Sequence, residues 1–249
     1  MVGEPGLRMV EKHLNALRRE HHVDLCVVNG ENADLMGIRP EQAERLFAAG
    51  ADVVTLGNHT WHRKDIIRLI GDHPYLLRPA NFPSQNPGRG HCVFETSRGV
   101  RVGVISLVGR CLMDFHPDNP FPVIDRLLPT MDADLFAVDI HAEATSEKGA
   151  LAYHLDGRVQ ALFGTHTHVQ TADERVFPAG LGFISDLGMT GPAQSVLGVR
   201  SDISVASFLG AVPQRYEVAS GPSKLEGALF DIDEKTKRCR SVSRVALAE

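Results

Sequence analysis

No apolar run in this 249-residue chain approaches the ~20 residues that a membrane-spanning helix requires, and no charged-then-apolar leader opens it. A membrane-bound or exported protein is therefore not expected, and the cytoplasm is the expected compartment. A basic excess is absent as well. The 26 Lys and Arg stand against 31 Asp and Glu, for a net charge of -5, and the two signs are interspersed, which argues against a long nucleic acid as partner. The four cysteines, Cys26, Cys92, Cys111 and Cys239, form no Cys-x-x-Cys pair, so they read as free thiols of a reducing compartment rather than as zinc or redox motifs. Internal repeats and low-complexity tracts are missing too. What is present is ordinary globular material, 43% hydrophobic and 23% charged, expected to form a single domain over 1–249.

The order of elements has α/β grammar. Leu7, Val10, Leu14 and Leu17 keep the spacing of a one-faced helix begun near Pro5. A strand at 24–29, a helix from Pro40 to Gly50, a strand at 52–56 and a helix from Trp61 to Ile70, stopped by Gly71, follow in turn. Segments 91–96 and 101–108 read as a hairpin around Ser97-Arg98-Gly99, followed by a short helix over 119–128. A strand at 135–140, a helix at 146–155 and a strand at 159–163 complete a further βα pair. Beyond 174 the pattern changes to short strands at 174–177, 181–184, 226–232 and 239–246, linked by loops rich in Gly, Pro and Ser. The expected architecture is an α/β/β/α sandwich of two mixed sheets.

Four of the strand-like runs end in polar clusters. Leu25-Cys26-Val27-Val28 leads into Asn29-Gly30-Glu31-Asn32, and Val53-Val54-Thr55-Leu56 into Gly57-Asn58-His59. Leu135-Phe136-Ala137-Val138 leads into Asp139-Ile140-His141-Ala142-Glu143, and the run 159–163 into Gly164-Thr165-His166-Thr167-His168. Open α/β sheets bind ligands at the carboxyl edge of their strands, so four strand ends carrying His, Asn and Glu point to a metal centre with nitrogen and oxygen donors. Residues two apart on extended chain face the same way, which lets His166 and His168 reach one centre or two adjacent ones; by itself the pair would read as two surface histidines. Glu31 can offer a carboxylate that bridges two cations, or can be a loop acid. Asn32 can bind metal or anchor its loop. Asn58 offers an amide oxygen, His59 hangs over the site, and His141 is flanked by Asp139 and Glu143 as carboxylates that could fix its ring. The remaining histidines, among them His62 and His154, lack ligand spacing.

Taken together, these motifs, with Ala144-Thr145-Ser146-Glu147-Lys148 and Ser185-Asp186-Leu187-Gly188-Met189-Thr190-Gly191-Pro192, resemble the set of the calcineurin-like metallophosphoesterases, and more narrowly the bacterial YmdB-like phosphodiesterases. The resemblance covers nearly the whole chain. It implies the four-layer sandwich, two divalent transition metal ions (iron or manganese, with zinc as a further option), and hydrolysis of phosphodiesters such as 2′,3′-cyclic nucleotides. Glu31 would bridge the ions, Asn58, His141 and His166 would complete one, and His168 would hold the other with Asn32 close by. His59 would act on the leaving group. Family members open with an apolar strand ending in Gly-Asp. The expectation here is that the sequence begins inside that motif, that the first strand and its aspartate lie upstream in the reading frame, and that metal occupancy and activity are reduced without them. The implied partner is a small phosphodiester or nucleotide, and a homo-oligomer is compatible with it. The rival readings are a metal- or nucleotide-binding regulator without turnover and a metallohydrolase of C–N bonds.

Overall fold

The computed structural model describes residues 1–114 and 116–249. In chain order the elements are α1 (Gly3–Glu20), β1 (Val27–Asn29), α2 (Pro40–Ala48), β2 (Val53–Thr55), α3 (Ile66–Asp72), β3 (Leu76–Leu77), β4 (His91–Glu95), β5 (Arg101–Val108), α4 (Pro120–Leu127), β6 (Leu135–His141), α5 (Thr145–Leu155), β7 (Ala161–Thr165), β8 (Arg175–Val176), β9 (Gly182–Ile184), β10 (Gly191–Pro192), α6 (Ser201–Phe208), β11 (Ser223–Asp233) and β12 (Arg238–Ala248). No helix among the described residues is long and apolar enough to cross a membrane.

Three apolar cores separate four layers. The first lies under α1, α2 and α3, where Leu7, Val10, Leu46, Ile66 and Ile70 meet Val54 of β2 and Leu56 just beyond it. The second lies between sheets and joins Val53 and Leu77 to Val102, Val104, Leu135 and Ala137, with Phe230 and Ile232 of β11 packed against them. The third buries Ile105, Leu107, Val138, Ile140 and Leu162 beneath Ile124 of α4 and Leu151 and Leu155 of α5. The strands of the six-stranded sheet, ordered β4-β5-β6-β7-β9-β8, therefore carry apolar side chains on both faces, as strands covered on both sides must.

The expected α/β/β/α layering is present. The first inner layer consists of two sheets, parallel β1-β2-β3 and antiparallel β10-β11-β12, and β1 has no strand on its outer side among the described residues. Helix α1 packs on both β10 and β11 and so spans the break. A cavity of about 870 Å³ fills the gap, lined by Leu14, Val28, Phe163, Leu229 and Val245 among others.

Several boundaries depart from the sequence reading. Residues 61–65 form turns, and α3 begins only at Ile66 and runs through Gly71 to Asp72. Its end is set by Pro74, which excludes helical backbone at His73 (φ -84°, ψ 117°). Helix α6 and the two-residue β10 fall in a stretch read as loop. The Ser201–Phe208 helix carries Ile, Val and three Ser, and its Val205 and Phe208 point outward, so neither propensity nor a single apolar face marks it.

Candidate metal centre at the strand ends

Alternation along the strands puts the polar groups between the sheets. In β6, Val138 and Ile140 enter the core under the helices while Leu135 and Ala137 enter the core between sheets, so Asp139 and His141 share the inner side. The same parity places Thr55 on β2, Asn29 on β1 and Thr165 on β7. Asn29 is the register partner of Thr55, and His141 of Thr165. The parallel strands β1, β2, β6 and β7 thus each deliver one or two polar side chains to the same place.

Beneath the site, three donors meet one carboxylate. Asn29 Nδ2 donates to Asp139 Oδ2 at 3.0 Å, the Thr55 hydroxyl to the same oxygen at 2.5 Å, and the Thr165 hydroxyl to Oδ1 at 2.8 Å. Burial pushes the Asp139 carboxyl above its usual value, and His141 and these donors oppose that rise. Because the single proton of Thr165 goes to Asp139, its oxygen must accept from His141 Nδ1, 2.9 Å away. His141 then presents Nε2 to the site.

Around that nitrogen stand Asn58 Oδ1 at 3.0 Å, His166 Nδ1 at 3.1 Å and Glu31 Oε2 in close contact. His166 Nε2 lies 3.2 Å from Glu143 Oε2, so that ring carries its proton toward Glu143 and turns Nδ1 inward. Burial, with His141 adding to it, lowers His166 to about 4, and the ring is neutral at pH 7. Glu31 is fully buried; burial raises its carboxyl, but the facing His141 and the His59 amide together outweigh this and bring it to about 2. Its Oε2 has no hydrogen-bond partner. Four lone-pair donors therefore point at one another in the interior. A proton on His141 Nε2 can satisfy one of them, whereas a cation satisfies all four.

A second cluster adjoins the first. His168 Nδ1 donates to the Leu197 carbonyl at 3.0 Å, which leaves Nε2 facing Asn32 Oδ1 at 3.2 Å. Asn32 commits its amide nitrogen to the Leu35 carbonyl at 2.7 Å, which fixes the oxygen toward His168. No group of three or more His, Cys, Asp or Glu among the described residues has the spacing of a ready-made ion site. The donors here are imidazoles, one carboxylate and two amides, and that chemistry fits hard or borderline divalent ions.

All seven residues singled out from the sequence lie in this cluster. Glu31, Asn58, His141 and His166 converge on one point, and Asn32 and His168 on the next. His59 joins through its backbone, whose N–H donates to Glu31 Oε1, while its buried Nδ1 has no partner and its ring meets His62 edge-on at 4.5 Å between centroids. Burial lowers its imidazole. Gly57 makes the approach possible, since a Cβ there would stand 2.3 Å from His141 Cδ2 and 2.5 Å from Glu31 Oε2. The carboxylates flanking His141 have other tasks than the sequence suggested: Asp139 reaches His141 only through Thr165, and Glu143 serves His166. Thr55 and Thr165 were missed, although period-two alternation from Val53 and from Phe163 would have turned both toward this edge.

The match to known proteins covers this whole framework. The YmdB-like protein family matches residues 1–245. The 2′,3′-cyclic-nucleotide 2′-phosphodiesterase of Bacillus subtilis is 40% identical over 250 residues, covering 99% of this chain and 94% of that protein. A crystal structure of a hypothetical protein from Thermus thermophilus superposes with a TM-score of 0.93 at 38% identity, covering 100% of this chain and 96% of the other. A crystal structure of a novel phosphatase from Mycoplasma pneumoniae also gives 0.93, at 34% identity and 100% and 90% coverage. The chain belongs to the YmdB-like family.

Proposed function

We propose that this protein is a metal-dependent phosphodiesterase of small phosphodiesters such as 2′,3′-cyclic nucleotides, working with two divalent transition ions, iron or manganese in first place and zinc as an alternative. The observation that carries this reading is the convergence of Glu31, Asn58, His141 and His166 as mutually facing acceptors within 3.1 Å of His141 Nε2. Such a set calls for a cation. The similarity to a 2′,3′-cyclic-nucleotide 2′-phosphodiesterase supports the substrate class.

Divalent ions, when bound, would supply Lewis acidity and lower the pKa of bound water. Glu31 would bridge the two positions, Asn58, His141 and His166 would hold one, and His168 with Asn32 the other. Thr165 and Glu143 hold the rings of His141 and His166 with a bare nitrogen inward. Hydrolysis adds water across the phosphorus–O2′ bond: hydroxyl goes to phosphorus, and O2′ leaves and must gain a proton. His59 would give it. Burial lowers its imidazole, and an anionic phosphodiester beside it favours the charged form that can donate. The unpaired buried thiols Cys92 and Cys239 support a reducing, cytoplasmic setting.

Hydrolysis of bis-p-nitrophenyl phosphate, assayed with added Mn²⁺ and again after chelation, tests the reading together with two substitutions. His59→Ala is expected to slow turnover by about 10²-fold or more while metal content stays normal, whereas His166→Ala is expected to empty a position. Equal metal loss in both variants would overturn the division of roles, and undiminished turnover after chelation would overturn the metal reading.

A further inference from the structure

Two of the clustered side chains sit on backbone that residues with a Cβ avoid: φ is +105° at His166 and +62° at His168. Such conformations persist where the surroundings over-determine them, and here the surroundings can be named. Thr167, between the two histidines, donates its N–H to Asp186 Oδ2 at 3.1 Å. The same oxygen accepts from Lys148 Nζ at 3.0 Å, and Oδ1 accepts from the Gly188 amide at 2.9 Å. Leu187 N–H returns to the Gly164 carbonyl at 2.9 Å and Thr171 N–H to the Asp186 carbonyl at 3.2 Å, so the 164–171 loop is closed at both ends.

Lys148 is wholly buried and Asp186 is 1% exposed. A Cβ on Gly164 would stand 1.8 Å from the Ser185 carbonyl oxygen and 2.8 Å from Lys148 Cδ, so the lysine stem passes directly under the start of the loop. A salt bridge that merely ties α5 to the end of β9 would not require the carboxylate to reach the one amide that lies between the two histidines.

We propose that Asp186, paired with Lys148, is a positioning residue that fixes the Thr167 amide and with it the strained turn aiming His166 and His168 at neighbouring points. Neither residue touches the reacting atoms. The inference rests on the metal reading above, and its test separates the two. In the double variant Lys148→Met/Asp186→Ala both charges and both carboxylate oxygens go together, which leaves no uncompensated ion and takes the acceptor from the Thr167 amide. Asp186→Glu keeps the charge pair and displaces the amide contact, so it reads the same point if the double variant does not fold. Either variant is expected to weaken Mn²⁺ binding, measured calorimetrically, by about tenfold or more. In metal-free protein each is also expected to speed hydrogen exchange at the Thr167 amide while Phe163 in β7 keeps its protection. Unchanged Mn²⁺ affinity, or unchanged Thr167 exchange, in a folded variant overturns the inference. Absence of Mn²⁺ uptake by the unsubstituted protein overturns the metal reading and the inference with it.

Discussion

Replacing Thr165 by Val tests the chemistry of the site more sharply than removing a ligand, because shape and volume are nearly kept while one hydroxyl goes. That hydroxyl donates to Asp139 Oδ1 at 2.8 Å and accepts from His141 Nδ1 at 2.9 Å, in a position only 6% exposed. Its loss leaves one buried acceptor short and one buried N–H unpaired. At roughly 1–3 kcal/mol for each unsatisfied group, the variant should lose about 2–4 kcal/mol of stability, since Asp139 retains Asn29 and Thr55. For a chain of this length that corresponds to a fall in Tm of roughly 5–15 °C by differential scanning calorimetry. The functional effect has a different origin. Without its acceptor, His141 is free to move its proton to Nε2, and Mn²⁺ affinity should drop about 10–100-fold, or roughly 1.4–2.8 kcal/mol. Thr165→Ser should restore both quantities. Nitrogen-15 spectra of the unsubstituted metal-free protein at mildly alkaline pH should report the proton on His141 Nδ1. Unaltered Mn²⁺ binding in Thr165→Val, or a neutral His141 carrying its proton on Nε2 in the unsubstituted protein, would refute the tautomer argument.

Gly57→Ala should destabilise by about 1–3 kcal/mol and impair metal uptake, because its methyl group would meet His141 Cδ2 at 2.3 Å; calorimetry and metal titration showing parent-like values would contradict the packing described. Burial raises the thiols of Cys26 and Cys92 to about 12 and that of Cys239 to about 11, while Cys111 is exposed. Ellman's reagent at pH 8 should therefore titrate one thiol rapidly in native protein and four after denaturation, and fast reaction of three or four in the native state would count against the cores as drawn. Hydrogen bonds from Arg45 hold Glu4 and Glu11 below the usual carboxylate value. Their folded-state pKa values are depressed, so the stability they add is present above the unfolded value near 4.5 and is lost as pH falls below it. Since the groups are half exposed, Arg45→Gln should cost no more than about 1 kcal/mol at pH 7. The gap in urea midpoint between variant and parent should narrow at pH 3, and a gap that widens would invert the sign assigned here.

The sequence made the site more legible than the frame that holds it. Glu31, Asn58, His141, His166 and His168 could be placed together because each follows a short apolar run, and parallel strands covered by helices end at a common edge. What stayed hidden was the set of groups that act at one remove. Asp139 lies two residues from His141, and adjacency suggested direct contact; the pleat instead sends both inward side by side, where Thr165 of the neighbouring strand intervenes. Lys148 and Asp186 stand in two of the motifs quoted from the sequence, but nothing in either segment announces that they pair across 38 positions. The order of neighbouring strands within each sheet was equally unreadable, because hydrophobic periodicity reports which face of a strand is covered and says nothing about which strand lies beside it.

Asp139 draws its three donors from both inner layers, Asn29 and Thr55 from one and Thr165 from the other. The two halves of the sandwich are thus stitched together directly under this rim, and gaping of the rim requires the stitch to be undone. Fraying at the rim and separation of the layers become a single cooperative event, so a ligand that tightens the rim should slow amide exchange in β2 and β7 by the same factor, although the two strands lie in different sheets.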